Sequence, residues 1–179
     1  MDNSIIDMIV EIPRNSNVKY EYDKESKLMR CDRIISTAML YPGNYGYVPD
    51  TLSGDGDPLD ILLLCDYPIY PGTVIKVKTI GVLLTEDEKG DDEKLIAIPS
   101  HEVDQSSMTI NCLEDLGNHI LNKIKHFFQH YKDNETQKWV HVKDFADQNE
   151  ALSIIDNARK RFAKPQFSTE TDRHSTIPI

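Results

Sequence analysis

The 179-residue sequence lacks the features of several protein classes. It has three cysteines, Cys31, Cys65 and Cys112, and no C-x-x-C pair. This odd number of widely spaced cysteines favours reduced thiols in the cytoplasm over a disulfide framework or a zinc ribbon. No apolar run approaches the roughly 18 residues that cross a bilayer, and the N-terminus has no basic stretch typical of a signal peptide. We therefore expect a cytoplasmic protein that does not insert into membranes.

Basic residues are also scarce. The sequence has 20 Lys and Arg residues against 30 Asp and Glu residues, which gives a formal net charge of -10. A charge of this sign repels nucleic acid and anionic membranes, so we expect neither as a partner. The acids are concentrated, because residues 50–93 contain eleven acidic residues and three lysines. This acidic window is the part of the chain in which a functional site is expected.

The first two-thirds of the chain has the pattern of β structure. Six segments rich in Ile, Val, Leu and Tyr are separated by turns that contain Gly or Pro, and each segment is predicted to be a strand. These segments are residues 5–12, 18–22, 28–31, 59–65, 73–84 and 95–98. Short strands at this spacing predict a small closed barrel.

In the last third, apolar residues recur every three or four positions and predict two amphipathic helices. The first carries its apolar face from Leu113 to Tyr131, with Asn111 as its predicted N-cap. A short strand is predicted around residues 139–142. The second helix is predicted to start after Asp147, and its inner face consists of Ala151, Leu152, Ile155, Ala158 and Phe162.

These patterns predict a mainly β fold with flanking helices, of the α+β class. Hydrophobic residues make up 39% of the chain, enough for one core, and no linker divides the sequence. We therefore expect one domain over residues 1–162. Residues 163–179 are polar and contain two prolines, which predicts a tail that is mobile or docks on a partner.

The densest polar motif is D-G-D-P-L-D at residues 55–60. Gly56 and Pro58 favour a tight turn that would bring Asp55, Asp57 and Asp60 together. Two like charges about 4 Å apart repel by roughly 4 kcal/mol at an effective dielectric near 20, so such a cluster needs cations. All-oxygen ligands favour Mg²⁺ or Ca²⁺. An exposed acidic turn without a ligand is the alternative.

A second acidic group lies at residues 86–93, between two predicted strands. It is predicted to form a hairpin loop. The loop is either simply solvated or brought by the barrel to face residues 55–60, and the sequence leaves both arrangements open.

Three familiar motifs are absent or incomplete. An EF-hand counted from Asp55 has Leu59 at its fifth position, and its flanks are predicted strands rather than helices. No G-x-x-x-x-G-K-[ST] loop occurs. His126 and His130 have helical spacing, but Phe127 stands where a zinc protease motif has Glu. The two histidines are more typical of a surface or subunit contact.

Several cations and tyrosines could hold an anion beside such a metal site. Lys19 and Glu21 share one face of a predicted strand, and Arg33, Lys94 and Lys132 follow along the chain. Lys and Arg beside bound metal suit a polyanion. The tyrosines of residues 41–47 either offer hydroxyl donors or pack as hairpin aromatics.

The acidic run is one of an ordered set of motifs. D-G-D-P-L-D-I occurs with E-I-P, K-Y-E-Y, Y-P-G-N-Y-G-Y-V-P, E-D-E-K-G-D-D-E-K and H-F-F-Q-H-Y-K. This set, over roughly residues 10–162, resembles the soluble family I inorganic pyrophosphatases of the prokaryotic type. The resemblance implies a five-stranded OB-like barrel with two helices, a cytosolic homohexamer, and hydrolysis of pyrophosphate with several Mg²⁺ ions.

The resemblance also implies individual residue roles. Metal ligands would be Glu11, Glu21, Asp55, Asp60, Asp87 and Asp92. Phosphate contacts would come from Lys19, Arg33, Tyr45, Lys94, Tyr131 and Lys132. Asp57 would accept the proton of the attacking water, and His126 and His130 would lie at contacts between subunits.

Other functions fit the residues less well. A Ca²⁺-binding module would leave the four cations Lys19, Arg33, Lys94 and Lys132 without a role. A nucleic-acid-binding barrel is opposed by the net charge of -10. A phosphohydrolase acting on nucleotides would need an apolar base pocket, which the motifs do not contain.

Overall fold

The computed structural model describes residues 2–164, and its elements follow one another in a simple order. These are β1 (Ile5–Ile12), β2 (Val18–Asp23), β3 (Leu28–Ile34), β4 (Asn44–Tyr47), β5 (Asp60–Leu63), β6 (Val74–Asp87), β7 (Gly90–Asp91), β8 (Lys94–Pro99), α1 (Asn118–His130), β9 (Val140–Ala146) and α2 (Gln148–Phe162). Short 3₁₀ turns cover Gln105–Thr109 and Leu113–Leu116.

Five strands close into a barrel. They run in the order β1-β4-β5-β8-β6, and β6 pairs back with β1. The β5–β8 pair is parallel and the other barrel pairs are antiparallel. Strand β9 adds to β6, β7 forms a hairpin with β6, and β2 and β3 form a separate two-stranded ribbon. The predicted five-stranded barrel with two helices is confirmed.

The core lies on both faces of the barrel strands. In β5, Ile61 and Leu63 join one apolar cluster, whereas Leu62 between them joins another. The first cluster includes Ile155 of α2, and the second includes Phe127 of α1. Because side chains alternate along a strand, one continuous apolar run serves both clusters. No helix within residues 2–164 is long and apolar enough to cross a membrane.

Strand β4 was not among the predicted strands. Its ladder partners are Ile9–Ile12 of β1 and residues 60–63 of β5, both distant in sequence. Gly46 makes the pairing with β1 possible, since a Cβ there would lie 2.0 Å from the Ile9 carbonyl oxygen. The strand therefore depends on tertiary pairing that local turn residues do not reveal.

The predicted start of the first helix is wrong. Residues Leu113–Leu116 form a 3₁₀ turn, and α1 begins only after Gly117, whose φ is +74°. The predicted Asn111 cap is also absent: the Asp115 carboxylate instead accepts the Asn111 backbone N–H at 2.7 Å. A glycine in the left-handed region separates the two segments that the apolar pattern had joined.

The second helix starts where predicted. Asp147 accepts the backbone N–H of Glu150 at 3.0 Å, which satisfies one of the free donors at the helix N-terminus. Ala151, Ile155 and Ala158 are buried, as expected. Phe162 is 51% exposed, so its predicted place on the inner face is wrong. Most of the predicted tail, from residue 165 onwards, lies outside the described residues.

Candidate active site

One cavity of about 250 Å³ lies at the end of the barrel where β5 and β8 begin. Every residue predicted for metal binding, substrate binding or proton transfer lines it. These are Glu11, Lys19, Glu21, Arg33, Tyr45, Asp55, Asp57, Asp60, Asp87, Asp92, Lys94, Tyr131 and Lys132. The fold therefore brings together side chains from positions 11 to 132 of the chain.

The innermost wall of the cavity is a buried charge cluster around Lys94. In the parallel β5–β8 pair, Asp60 is the register partner of Lys94. The Lys94 Nζ donates to Asp60 Oδ2 at 2.5 Å and also to Asp92. The Tyr45 hydroxyl donates to the same Asp60 oxygen at 2.5 Å. The Lys94 side chain is only 3% exposed, so this wall is held rigidly by paired charges.

The pKa shifts in this wall follow from burial and pairing. Burial opposes the charge on Lys94, but the Asp60 and Asp92 carboxylates outweigh it and raise the pKa of Lys94 above its usual value. Burial, with repulsion from Asp60, raises the pKa of Asp92 despite the neighbouring Lys94. Burial and the Asp60 carboxylate raise the pKa of Tyr45 well above its usual value, so Tyr45 stays a hydroxyl donor.

The second acidic group forms the predicted hairpin and faces the first group in part. Glu86 pairs with Asp91 across β6 and β7. The Lys132 Nζ donates to Asp87 Oδ2 at 2.9 Å and lies 3.7 Å from Glu88 Oε2. Burial opposes the shift, but the hydrogen bond from Lys132 holds the pKa of Asp87 below its usual value. Of this hairpin group, Asp87, Glu88 and Asp92 line the cavity.

The loop that carries Asp55 and Asp57 forms the exposed side of the cavity. The Asp57 backbone N–H donates to Asp55 Oδ1 at 3.1 Å, which fixes the turn. Across the cavity, Lys89 Nζ at the hairpin tip lies 3.2 Å from Asp57 Oδ2, and both side chains are more than half exposed. The base of the loop is held by α2, since the Leu52 carbonyl accepts from Arg161 Nε at 2.7 Å.

The β2–β3 ribbon supplies the outer side. Lys19 lies directly opposite Arg33 in the ribbon. The Lys19 Nζ donates to Glu21 Oε1 at 2.9 Å and to Asp32 Oδ2 at 3.1 Å. The contact between Lys19 and Glu21 agrees with their predicted place on one face of the strand.

Among the described residues, Glu11 and Asp55 are the two acids of the cavity that form no ion pair. Within residues 2–164, no Lys, Arg or His nitrogen lies within 4.0 Å of the Glu11 carboxylate, which accepts the Tyr22 backbone N–H at 2.8 Å. Burial, reinforced by the charges of Asp60 and Glu21, raises the pKa of Glu11 to about 7. A half-buried carboxylate without a cationic partner is a group that a bound metal ion would neutralise.

The chemistry of the donor set fits hard cations. Eight carboxylates and seven Lys or Arg residues line the cavity, and oxygen is the ligand atom that Mg²⁺ prefers. Among the described residues, no group of three or more His, Cys, Asp or Glu side chains is arranged as a formed metal site. In the same part of the chain, Lys94, Lys132 and Lys89 form ion pairs with Asp60, Asp87 and Asp57.

Some lining residues were not predicted. They include Lys24, Glu88, Lys89 and Lys138, whereas Tyr41 is one of the tyrosines considered above and packs in the second apolar cluster. Glu88 and Lys89 lie between predicted ligands in the acidic hairpin, so their position in the sequence could have identified them. Lys138 reaches the cavity from the turn after α1, and no local pattern marks it.

The two histidines singled out for a subunit contact lie away from the cavity. His126 and His130 are both on the exposed side of α1, with ring centroids 4.8 Å apart. His130 Nδ1 lies 2.8 Å from Asp133 Oδ2. Their exposure leaves them available for a contact with another chain.

Comparisons with known proteins agree on one family. Residues 8–163 match the family model described as inorganic pyrophosphatase. An inorganic pyrophosphatase of Saccharolobus solfataricus is 47% identical over 156 residues, which are 87% of this chain and 91% of the relative. One from Campylobacter jejuni is 48% identical over 88% of this chain and 91% of the relative. The solved Helicobacter pylori enzyme superposes with a TM-score of 0.89 at 45% identity, covering 91% of this chain and 96% of that chain.

Proposed function

We propose that this chain, which belongs to the inorganic pyrophosphatase family and is an inorganic diphosphatase, hydrolyses pyrophosphate to two orthophosphates. The proposed reaction depends on Mg²⁺, and Asp57 is its proposed proton acceptor. The observation that carries this proposal is the convergence of all thirteen candidate residues on one cavity. Eight carboxylates alone would repel pyrophosphate. A site that also contains seven cationic side chains can hold the anion and its metals together.

The metal ions would be held by the carboxylates of the cavity. Asp55, Asp60, Asp87 and Asp92 are the proposed ligands of the tighter ions, and Glu11 and Glu21 those of an outer ion that arrives with substrate. Bound Mg²⁺ would supply Lewis acidity, lowering the pKa of water and neutralising charge on the phosphates. Glu11 supports this assignment, since burial and the nearby charges of Asp60 and Glu21 raise its pKa, and a bound cation would offset both.

The cationic and tyrosine side chains would bind and orient pyrophosphate. Arg33 and Lys19 are cross-strand neighbours on the ribbon, and they line the same cavity as Lys94 and Lys132. If Asp60, Asp87 and Asp92 served as metal ligands, the ammonium groups of Lys94 and Lys132 would be free to donate to phosphate oxygens. Burial raises the pKa values of Tyr45 and Tyr131 further above neutrality, so both keep the hydroxyl proton, which Tyr45 donates to Asp60 in this structure.

Asp57 is proposed to accept the proton of the attacking water. Its side chain is 62% exposed, and its carboxylate is paired with Lys89, a contact that solvent can readily disrupt. It differs in this respect from Asp60 and Asp92, whose carboxylates are held by buried Lys94. An accessible carboxylate can exchange a proton with water and solvent.

The experiment that tests this function is phosphate release from pyrophosphate with Mg²⁺, with and without EDTA, beside ATP and p-nitrophenyl phosphate. We expect release from pyrophosphate alone, abolished by EDTA and restored by added Mg²⁺. Release without a divalent ion would contradict the metal dependence. Equal release from ATP would contradict the proposed substrate.

Assembly and location are further parts of the proposal. A cytoplasmic homohexamer is supported by the exposed histidine pair His126 and His130 and by the free thiols of Cys31, Cys65 and Cys112. A single domain over residues 1–162 is proposed with it. Sedimentation of the wild type beside His126→Ala/His130→Ala would test the subunit contact, because a monomer in both cases contradicts it.

A further inference from the structure

We propose that Glu135 is a positioning residue that orients Arg33 for pyrophosphate, an inference that rests on the proposed function. The Glu135 Oε1 accepts from Arg33 Nε at 2.8 Å, and the two residues are 102 positions apart in the chain. Glu135 contacts Arg33 but is not among the described residues that line the cavity.

Arg33 needs such a partner because of its place in the fold. It lies on β3, in the two-stranded ribbon that is separate from the barrel sheet. A free arginine side chain samples many rotamers, and phosphate binding would have to overcome the entropy of fixing them. Glu135 ties the guanidinium to the turn after α1, the same turn that carries Lys132 into the cavity.

Glu135 is itself held firmly. Its side chain is 12% exposed, its Oε2 lies 3.4 Å from Lys138 Nζ, and its backbone N–H donates to the Lys132 carbonyl at 2.8 Å. The Asn134 side chain adds a second link to the segment after β3 by donating to the Ser36 carbonyl at 3.0 Å. The turn can therefore act as a fixed support for Arg33.

The contacts of Arg33 with Glu135 and Asp32 use only part of its guanidinium group. Arginine has five N–H donors in a rigid fork. Nε–H is used by Glu135, and one Nη1 hydrogen by Asp32 at 2.9 Å. The other three have no acceptor among residues 2–164, and Arg33 lines the cavity. That arrangement presents a fork suited to two phosphate oxygens.

The test is Glu135→Gln, which keeps the shape and removes the charge. We expect the KM for pyrophosphate to rise about tenfold, as expected for the loss of one charge-assisted hydrogen bond, with kcat within about twofold. Asp156→Asn is the matched control. It removes one carboxylate charge from an ion pair with Lys160 at 2.5 Å, on the exposed face of α2. It should leave both constants unchanged.

A double-mutant cycle separates positioning from general damage. In an Arg33→Met background, Glu135→Gln should change the KM by less than about twofold, because its effect passes through Arg33. An unchanged KM in Glu135→Gln, or a tenfold rise that persists without Arg33, would overturn the inference. If Glu135→Gln does not fold, Glu135→Asp takes its place in the same double-mutant cycle. The KM for pyrophosphate should then rise by less than tenfold. Wild-type activity without this KM response would contradict the role of Glu135 while leaving the proposed function intact.

Discussion

The two sides of the cavity carry the same kinds of charge in different surroundings. On the barrel wall, Lys94 is 3% exposed and is clasped by Asp60 and Asp92. On the loop side, Lys89 and Asp57 form a similar pair that is 58% and 62% exposed. Buried pairs are costly to break, whereas exposed pairs exchange partners freely. The difference suggests that the wall maintains the structure of the site and the loop side carries the proton transfer.

Asp57→Asn tests the chemical half of this comparison and should have the largest effect. We expect kcat to fall by about 10²–10⁴-fold, the usual contribution of a general base, while Mg²⁺ binding and stability change little. Phosphate release and calorimetric titration with Mg²⁺ measure the two properties. Near-normal turnover at neutral pH would remove Asp57 from its assigned role.

Lys94→Met tests the structural half. Removing this buried cation leaves Asp60 and Asp92 facing each other without compensation, which should lower the free energy of unfolding by about 3–5 kcal/mol in EDTA. Urea denaturation measures the change. Added Mg²⁺ should recover part of the loss, because the metal replaces the missing charge. A loss below about 1 kcal/mol would mean that the wall is less rigid than its geometry indicates.

Glu11 sharpens the comparison, because it is a cavity acid without a cationic partner. Its pKa is raised from 4.5 to about 7, so the folded chain favours the protonated carboxyl. The contribution of the protonated carboxyl to the free energy of unfolding is complete below pH 4.5. It is lost as the pH rises through about 7, because the folded chain must then bury a charged carboxylate. In EDTA, wild type should therefore lose roughly 2–3 kcal/mol over this range relative to Glu11→Gln. Parallel pH profiles of the two proteins would contradict the shift.

Lys89→Met should have the smallest effect on stability. The exposed Lys89–Asp57 pair is worth less than about 1 kcal/mol, so urea denaturation should barely distinguish this variant from wild type. It is also the natural control for Lys94→Met, because both substitutions remove one lysine from the same cavity. If Lys89→Met and Lys94→Met lowered the free energy of unfolding equally, the distinction between the exposed loop side and the buried wall would be wrong.

Much of the fold is readable from the sequence where the signal is local. Strand β1 has its predicted bounds, Ile5–Ile12, because a segment rich in Ile and Val, with every second residue buried, ends at Pro13. Helix α2 begins after Asp147 because a side-chain cap is a local interaction. Strand β4 could not be predicted in the same way, since its four residues are held by partners in β1 and β5.

The candidate site was likewise predictable from the sequence only where the signal is local. The ordered motifs contain twelve of the thirteen residues to which the resemblance gives a role, all but Arg33, and the structure brings all thirteen to the cavity. Glu135 was missed because its contact with Arg33 spans 102 positions, and Lys138, which pairs with Glu135, has no periodic or motif signal either. Long-range ion pairs of this kind become visible only when the backbone is folded.

The parallel pairing of β5 with β8 has a consequence for how this protein can change. Asp60 faces Lys94 in that pair, and the next positions are Ile61 and Leu95, both fully buried. A one-residue insertion in either strand would swap the faces of every side chain that follows. It would move Asp60 out of register with Lys94 and exchange the residues that belong to the two apolar clusters. Length variation among descendants of this chain should therefore collect in its loops and spare these two short strands.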